Sequence, residues 1–381
     1  MTPPRILIVD DDPGMLRATE RVLAGNYSVL SCRSAREALE SAPTFAPDIA
    51  LLDVRMPELS GFEVREALSR TCPDVDVIFM TGSLNEIDST FIRAIRAKAF
   101  FFIQKPFDRD VLLTLVERCL ELRRLALENR RHVARLEGEL GEARAFQQSL
   151  LPPMAATLGA VSIAARYVPS AELGGDFYDY AAAGPNEATL LIADAAGHGV
   201  SAAMLTGVVK SAFDASRVDR YEPRAIVRRI AEAVRSFECE RYVTAACVRI
   251  DRGRGVIEYV NAAHPAGALW SPSRSMTRLE STGTLICSAF PNARWEQVTL
   301  ALSEGDQVLL FTDGISERSA SGEFFGEQRI IDECCRRSLG SGALLDAILD
   351  SASRFGRGVP ASDDQTLLTA VVRDQNSVVS P

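Results

Sequence analysis

One stretch without proline, residues 108–150, divides the chain into two parts. Within it, glycine occurs at Gly138 and Gly141 alone. Seam-forming residues recur there at alternating steps of four and three, which predicts a continuous helix with a heptad repeat. About 40 helical residues span roughly 60 Å, too long to pack beneath one small domain. The seam consists of Leu115, Cys119, Leu122, Ala126, Asn129, Val133, Leu136, Leu140, Ala143, Gln147 and Leu150.

The repeat is compatible with two arrangements of this helix. Arginine and glutamate fill the intervening positions, as expected for solvent-exposed flanks. Asn129 resembles the buried polar residue that fixes the register of two-stranded coiled coils. The alternative is a single amphipathic helix lying on the second domain. Leucine and valine in the middle favour the coiled coil, although Ala143, Gln147 and the glycines weaken its far half. We expect a parallel homodimer formed through residues 108–150.

Composition restricts the class of protein. A chain of 381 residues, 47% hydrophobic and 24% charged, is long enough for two globular domains. The net charge of −9 argues against nucleic acid as the main partner. No apolar run approaches the length of a membrane span, and the N-terminus lacks the pattern of a signal peptide. The eight cysteines show no CxxC spacing, as in reduced proteins. We therefore expect a cytoplasmic protein that binds neither nucleic acid nor membranes.

Strand and helix patterns alternate through the first 107 residues. Apolar runs predict strands at residues 6–10, 49–53, 77–81 and 100–103, and residues 15–23 are helical. This rhythm predicts an α/β domain with a doubly wound parallel sheet. The carboxyl ends of its strands meet at one edge, where we expect five polar side chains, namely Asp10, Asp11, Asp53, Thr81 and Lys105.

This set of side chains suits phosphoryl transfer. Crowded carboxylates repel one another unless a divalent cation joins them. A carboxylate can also attack phosphorus to give an acyl phosphate, and a lysine and a hydroxyl would then bind the phosphoryl oxygens. Taken singly, Asp11 fits a helix cap and Lys105 a surface charge. Taken together, the residues favour a phosphorylation site.

Residues 4 to about 122 resemble a response-regulator receiver domain, since the motifs IVDDD, LLDVRMPELSG, MTG and KPF occur in order. The resemblance implies a five-stranded parallel sheet and a receiver domain at 1–122. It also implies that Asp53 accepts a phosphoryl group from a histidine kinase. Asp10 and Asp11 would hold Mg²⁺ together with Asp53 and the carbonyl of Arg55.

The same resemblance implies a switch next to the phosphorylation site. Thr81 would be the switch hydroxyl and Phe102 the switch aromatic residue. Lys105 would bind the phosphate, and the bond from Lys105 to Pro106 would be cis, which proline makes tolerable.

The second half begins where the LPP sequence at Leu151 stops the helix. Adjacent strand patterns with paired helix patterns predict an α+β domain with mainly antiparallel sheets over 151–375, followed by a tail at 376–381. We predict helices at 202–215, 223–237, 327–337 and 343–354. The predicted strands are 161–168, 177–180, 188–194, 242–250, 256–261, 298–302, 307–312 and 366–372.

Four aspartates stand at strand ends in this half. Each alone would more commonly form a turn or a helix cap. Four converging oxygen ligands, however, suit one or two hard divalent cations that orient and deprotonate a water for attack on a phosphate ester. The competing motifs GxSxG and HExxH are absent. The aspartates are Asp176 in GGDFYD, Asp194 in LLIADAAGHG, Asp313 in LLFTDGI and Asp363 in SDDQT.

Two histidines are weaker candidates for acid–base chemistry. His198 and His264 have the right residue type, because histidine titrates near neutrality. Neither has a visible partner in the sequence, so a structural role fits each of them better.

Residues 145–373 resemble metal-dependent serine/threonine phosphatases of type 2C, in the bacterial branch that controls sigma factors. The motifs are QQSLLPP, GGDFYD, DAAGHG, NAAHPAGAL, FTDGISE and DDQT. The resemblance implies two packed antiparallel sheets flanked by helices and a pair of Mg²⁺ or Mn²⁺ ions. The implied ligands are Asp176, Asp194, the carbonyl of Ala195, Asp313 and Asp363.

Three positions near these motifs qualify the resemblance. Asp364 is a weaker ligand candidate, because its position belongs to the motif without always binding metal. Ala196 and Ala263 stand where this branch often has serine and glycine, which would reshape the substrate groove but removes no ligand.

The two resemblances together imply a response regulator whose output is a phosphoprotein phosphatase, acting on a phosphorylated anti-sigma-factor antagonist. One alternative is an adaptor that binds a sigma factor or its regulators without catalysis, but the aspartates are present. A DNA-binding output fits less well, because the second half is acidic and rich in strands.

Overall fold

The N-terminal part of the chain forms a parallel sheet. A computed structural model describes residues 3–82, 101–197, 199–237, 241–271, 274–336 and 341–373. It divides into two compact units, Met1–Leu136 and Glu137–Pro381. The sheet of the first unit has the order β2-β1-β3-β4-β5, which confirms the predicted doubly wound α/β domain. Its strands are β1 Arg5–Val9, β2 Ser28–Cys32, β3 Ile49–Asp53, β4 Asp76–Thr81 and β5 Phe101–Gln104.

Helices cover both faces of this sheet. Separate apolar clusters lie on the two faces, because both sides of each central strand are apolar. Asp12 caps the first helix by accepting a hydrogen bond from the backbone N–H of Gly14 (2.7 Å). The cap is therefore Asp12, which leaves Asp11 for the sheet edge. The helices are α1 Pro13–Leu23, α2 Ala35–Phe45 and α3 Gly61–Thr71.

A single helix, α4, runs from Arg109 to Ser149, as the absence of proline predicts. Its first turns pack into the apolar core of the first unit through Leu112, Val116 and Cys119. Residues 128–139 are all exposed. The seam residues Val133 and Leu136 are 46% and 58% exposed. Dimerisation through this helix stays a prediction.

The second unit contains two mainly antiparallel sheets. One has the order β14-β11-β10-β9-β8 and the other β13-β12-β15-β18-β7-β6, with a separate hairpin β16-β17. Every predicted strand is present, with its ends shifted by four residues at most, and β6, β12, β13 and the hairpin are additional. The strands are β6 Ala155–Leu158, β7 Val161–Val168, β8 Asp176–Gly184, β9 Glu187–Ala195, β10 Val243–Asp251, β11 Val256–Ala262, β12 Gly267–Ser271, β13 Arg274–Leu279, β14 Val298–Ala301, β15 Gln307–Phe311, β16 Ser319–Ala320, β17 Glu323–Phe324 and β18 Gln365–Val372.

The two sheets face each other and are flanked by helices, as expected. Alternate residues of each strand pack between the sheets, for example Leu190 and Ile192 of β9, while Leu191 and Ala193 face the helices. A third cluster joins the other sheet to its own helices. The helices are α5 Val200–Ala215, α6 Pro223–Arg235, α7 Asp313–Ser316, α8 Gly326–Arg336 and α9 Ser341–Phe355. In the described residues, no helix combines the length and apolar character that a membrane span needs.

Candidate functional site

The first candidate site lies at the carboxyl edge of the parallel sheet. Strands β1 and β3 are neighbours, so Asp10, which follows β1, lies beside Asp53 at the end of β3. Carboxylate oxygens of Asp10, Asp11 and Asp53 all lie within 4.8 Å of one another. The ammonium of Lys105 lies 2.6 Å from Asp10 Oδ2 and 3.0 Å from Asp53 Oδ2. Three acids with one lysine leave an excess of negative charge that a divalent cation fits.

Burial and charge act in opposite directions on Asp53. Burial raises the pKa of its carboxyl above the ordinary value, and the hydrogen bond from Lys105 and the backbone N–H of Arg55 partly counter that rise. The nearby Asp10 carboxylate raises the pKa again. A bound cation would favour the ionised carboxylate, the form in which it can act as a nucleophile.

The predicted switch residues lie on the two neighbouring strands. Thr81 ends β4, and its carbonyl accepts a hydrogen bond from the backbone N–H of Lys105 (2.7 Å). The Phe102 ring on β5 lies 5.5 Å, centroid to centroid, from that of Phe79. The bond between Lys105 and Pro106 is cis, as the resemblance implies. The switching roles themselves remain predictions.

The second candidate site lies at one end of the paired sheets. Asp176 of β8 and Asp194 of β9 are directly opposite partners. Strand alternation turns both side chains towards the other sheet, on the same face as Tyr178 and Ile192. Asp176 is 3% exposed, and its Oδ2 accepts hydrogen bonds from the hydroxyls of Thr312 (2.7 Å) and Thr366 (2.6 Å). Thr366 lies on β18 of the opposite sheet, and Thr312 directly follows β15 of that sheet.

The four predicted aspartates act on one another electrostatically. Burial, followed by the charges of Asp313, Asp363 and Asp364, raises the pKa of Asp194 to about 7. Burial and the Asp194 charge raise the pKa of Asp176. Asp313 opens the short helix α7, and Asp363 is exposed. A cation bound among these acids would relieve their mutual repulsion.

A glycine makes room for the backbone around these acids. A methyl group on Gly175 would overlap the carbonyl oxygen of Ala195 and lie 3.3 Å from Asp194 Oδ1. The backbone N–H of Ala195 donates to the Gly175 carbonyl (3.0 Å). The Ala195 carbonyl, a predicted metal ligand, therefore packs against a backbone position at which only glycine fits.

Asp364 has a different position from its neighbour Asp363. Asp364 is 3% exposed, and its Oδ1 accepts from the backbone N–H (2.8 Å) and hydroxyl (3.1 Å) of Ser170. Its Oδ2 accepts from the backbone N–H of Gly175 (2.7 Å). These bonds use both oxygens to hold the loop before Asp176. Sequence reasoning did not identify Ser170, Thr312 or Thr366 as partners of the acids.

The structure describes one of the two candidate histidines. His198 lies outside the described residues. His264 is buried, its Nδ1 lies 2.8 Å from the hydroxyl of Thr244, and burial lowers its pKa to about 3. It is neutral at physiological pH, which fits a structural role.

Two alanines stand where the resembled phosphatases often have serine and glycine. Ala263 has a φ of 53°, a left-handed conformation that a glycine would adopt without strain. Ala196 donates its backbone N–H to Tyr242 (2.9 Å).

Two family models match the chain, one in each half. The response regulator receiver domain model matches residues 6–117, and the Stage II sporulation protein E (SpoIIE) model matches residues 184–373. These matches contain the acids of both candidate sites except Asp176.

Individual proteins also match each half. The phosphoserine phosphatase RsbP of Bacillus subtilis is 30% identical over 193 residues, covering 49% of this chain and 47% of RsbP. The transcriptional regulatory protein DctD of Pseudomonas aeruginosa is 35% identical over 127 residues, covering 33% of this chain and 27% of DctD. The solved SiaA-PP2C domain of Pseudomonas aeruginosa superposes with a TM-score of 0.55 at 24% identity, covering 64% of this chain and 99% of that domain.

The chain spans less than half the length of these two curated relatives. The relatives therefore identify its domains, and the SiaA-PP2C domain shares the fold of its second half. Residues 6–117 belong to the response regulator receiver family, and residues 184–373 belong to the SpoIIE family of PP2C-type phosphatase domains.

Proposed function

We propose that this chain is a response regulator whose receiver controls a metal-dependent phosphoprotein phosphatase. The proposed domains are a receiver at 1–122, a helical connector at 108–150, a phosphatase at 151–375 and a tail at 376–381. A histidine kinase would phosphorylate Asp53, with Mg²⁺ held by Asp10, Asp11, Asp53 and the carbonyl of Arg55. The proximity of the three acids to one another, and of Lys105 to Asp10 and Asp53, supports this assignment.

The observation that carries the phosphatase proposal is the convergence of acids from four segments at one end of the paired sheets. Asp176 and Asp194 pair across two strands, and the charges of Asp313 and Asp363 reach Asp194. Among the described residues, no three of these acids have oxygens within 4.8 Å of one another.

The ions would supply an activated water for hydrolysis of a phosphate ester. The residues of this chain orient the ligands. Thr312 and Thr366 hold one oxygen of Asp176, and the Ala195 carbonyl would complete the ligand set with Asp313 and Asp363. His264 is a poor candidate for the acid–base group, because it is buried and its pKa of about 3 leaves the ring neutral near pH 7. His198 remains a weak candidate for that role.

The substrate class follows from the relatives. RsbP is a phosphoserine phosphatase by name, which supports a phosphoserine or phosphothreonine protein as substrate. We propose a phosphorylated anti-sigma-factor antagonist, with the coiled-coil connector making the enzyme a homodimer. The alternative is an adaptor that binds a sigma factor or its regulators without hydrolysis. Hydrolysis of a phosphoserine peptide distinguishes the two.

The metal mechanism is tested with Asp194→Asn. Mn²⁺-dependent hydrolysis of a phosphoserine peptide should disappear with a chelator and in this variant. Asp214→Asn is a matched control, because Asp214 lies on an exposed face of α5 and pairs with Lys210 (3.0 Å). Activity that persists in Asp194→Asn and in chelator would overturn the mechanism.

The receiver assignment is tested with Asp53→Asn. Acetyl phosphate should phosphorylate the wild type, and the variant should take up no phosphate and show no change in phosphatase rate. Asp74→Asn, at an exposed position of the same unit, should behave as wild type. Phosphate uptake by Asp53→Asn would contradict the assignment. Capture of a phosphoprotein by Asp194→Asn, used as a substrate trap, would identify the substrate.

A further inference from the structure

A glutamine in the last turn of α4 contacts the backbone next to the proposed metal site. Gln147 is 8% exposed, whereas its neighbour Gln148 is exposed. Its Nε2 donates to the carbonyl of Gly174 (2.7 Å), and its Oε1 accepts from the backbone N–H of Gly174 (3.3 Å). The Nε2 also lies 3.3 Å from the hydroxyl of Thr206 on α5. One side-chain amide thus binds both polar groups of one residue.

This pairing requires both a donor and an acceptor. A primary amide presents one of each in a plane, as a peptide group does. A carboxylate of the same size can accept but not donate, and an apolar side chain can do neither. Without Gln147, the N–H and carbonyl of Gly174 would lose these partners in a buried place, which is unfavourable.

Gly174 precedes Asp176 by two residues, and the segment is held from a second side. Asp364 accepts from the backbone N–H of Gly175 (2.7 Å). A methyl group on Gly174 would overlap Asp364 Oδ2 and the hydroxyl of Tyr167. Gly174 therefore has no room for a side chain. Gln147 and Asp364 hydrogen-bond to the backbone of the segment that leads to Asp176.

We propose that Gln147 is a positioning residue for Asp176, so that the last turn of helix α4 forms part of the metal site. Gln147 acts through the Gly174 backbone and contacts neither ion nor substrate. This inference rests on the proposed metal site. It also explains why the heptad seam contains the polar Gln147, although glutamine there weakens the coiled coil.

The test replaces Gln147 by methionine, which has a similar length, favours helices and lacks both hydrogen-bonding groups. Removing a group that bonds a metal ligand directly typically weakens metal binding 10–100-fold, and Gln147 acts one residue further out, through Gly174. We expect the full chain with Gln147→Met to bind Mn²⁺ about tenfold more weakly by calorimetry, in line with that range. Gln148→Met should bind as wild type. Excess Mn²⁺ should restore phosphatase turnover, which it would not do for a misfolded site.

Hydrogen exchange in the metal-free protein gives a second readout. The amides of residues 174–176 should exchange faster in Gln147→Met than in wild type or Gln148→Met. If the methionine variant fails to fold, Gln147→Glu, which keeps the acceptor for the Gly174 N–H, should show weakened Mn²⁺ binding instead. Wild-type Mn²⁺ affinity together with wild-type exchange in Gln147→Met would overturn the inference. A wild type that binds Mn²⁺ but hydrolyses no phosphoserine would overturn the proposed function alone.

Discussion

Replacing Asp364 with alanine should destabilise the phosphatase unit even without metal. The substitution removes four hydrogen bonds of 2.7 to 3.4 Å that Asp364, a residue 3% exposed, accepts from Ser170, Gly175 and the backbone N–H of Asp176. Hydrogen bonds to charged groups contribute roughly 1.5–3 kcal/mol each. Relief of the repulsion between Asp364 and the acids Asp176 and Asp194 offsets part of that loss. We expect a net loss of about 3 kcal/mol in the free energy of unfolding.

For a domain of this size, that loss corresponds to a decrease in Tm of roughly 6–12 °C. Tryptophan fluorescence in the presence of chelator is a suitable assay. Both tryptophans of the chain, Trp270 and Trp295, lie in the second unit and are buried, so the signal reports on that unit.

The neighbouring Asp363→Ala is the matched control. Asp363 is exposed and accepts a hydrogen bond from the backbone N–H of Asp364 (2.8 Å), so its loss should cost less than about 1 kcal/mol in chelator. With Mn²⁺, wild type and Asp364→Ala should both gain stability, while Asp363→Ala should gain much less. The reasoning is refuted if Asp364→Ala unfolds within about 2 °C of wild type, or if Asp363→Ala is equally destabilised in chelator.

Three further outcomes are expected. Leu136→Glu should convert a dimer into a monomer in sedimentation without loss of helix content, because Leu136 is 58% exposed in the single chain; a wild type that is monomeric at micromolar concentration contradicts the coiled coil. The unfolded pKa of His264 is near 6.5 and the folded value is about 3. Below pH 6.5 His264 is protonated in the unfolded chain, and folding must release that proton. The free energy of unfolding therefore decreases as the pH falls from about 6.5 towards 3. In urea titrations over that pH range, the free energy of unfolding should decrease less for His264→Asn than for wild type. An equal pH dependence in the two proteins would contradict this prediction. Lys105→Met should tighten Mg²⁺ binding to the receiver about tenfold in calorimetry, since Asp10 and Asp53 lose a cation that would compete with the ion; weaker binding would contradict this reasoning.

The positions of the acids were predictable because strand geometry is regular. An apolar run that ends in aspartate places that carboxylate at a sheet edge, as for Asp53 and Asp194. Period-two alternation then determines which face each residue lies on, and Asp176 and Asp194 share a face for that reason. Proline-free sequence predicted the long helix equally well.

The partners of the acids were not predictable, because they depend on how distant segments pack. Thr312 and Thr366 lie 136 and 190 residues after Asp176, and no local pattern marks them as its donors. Asp363 and Asp364 are chemically identical in the sequence, and only the packing of the Gly174–Gly175 loop distinguishes them. Strand β12 was missed because Pro265 and Gly267 indicate a turn at the point where the strand begins.

The hydrogen bonds from Thr312 and Thr366 to Asp176 have a consequence for how the site assembles. Asp176 and Asp194 belong to one sheet, and both threonines, with Asp313 and Asp363, lie on or beside strands of the other. Neither sheet holds a complete ligand set by itself. A slip of one sheet past the other by a single strand spacing, about 4.8 Å, would break both contacts. Binding of an ion would therefore indicate that the two sheets are correctly aligned. Insertions should be tolerated in the outer loops but not where the two sheets meet.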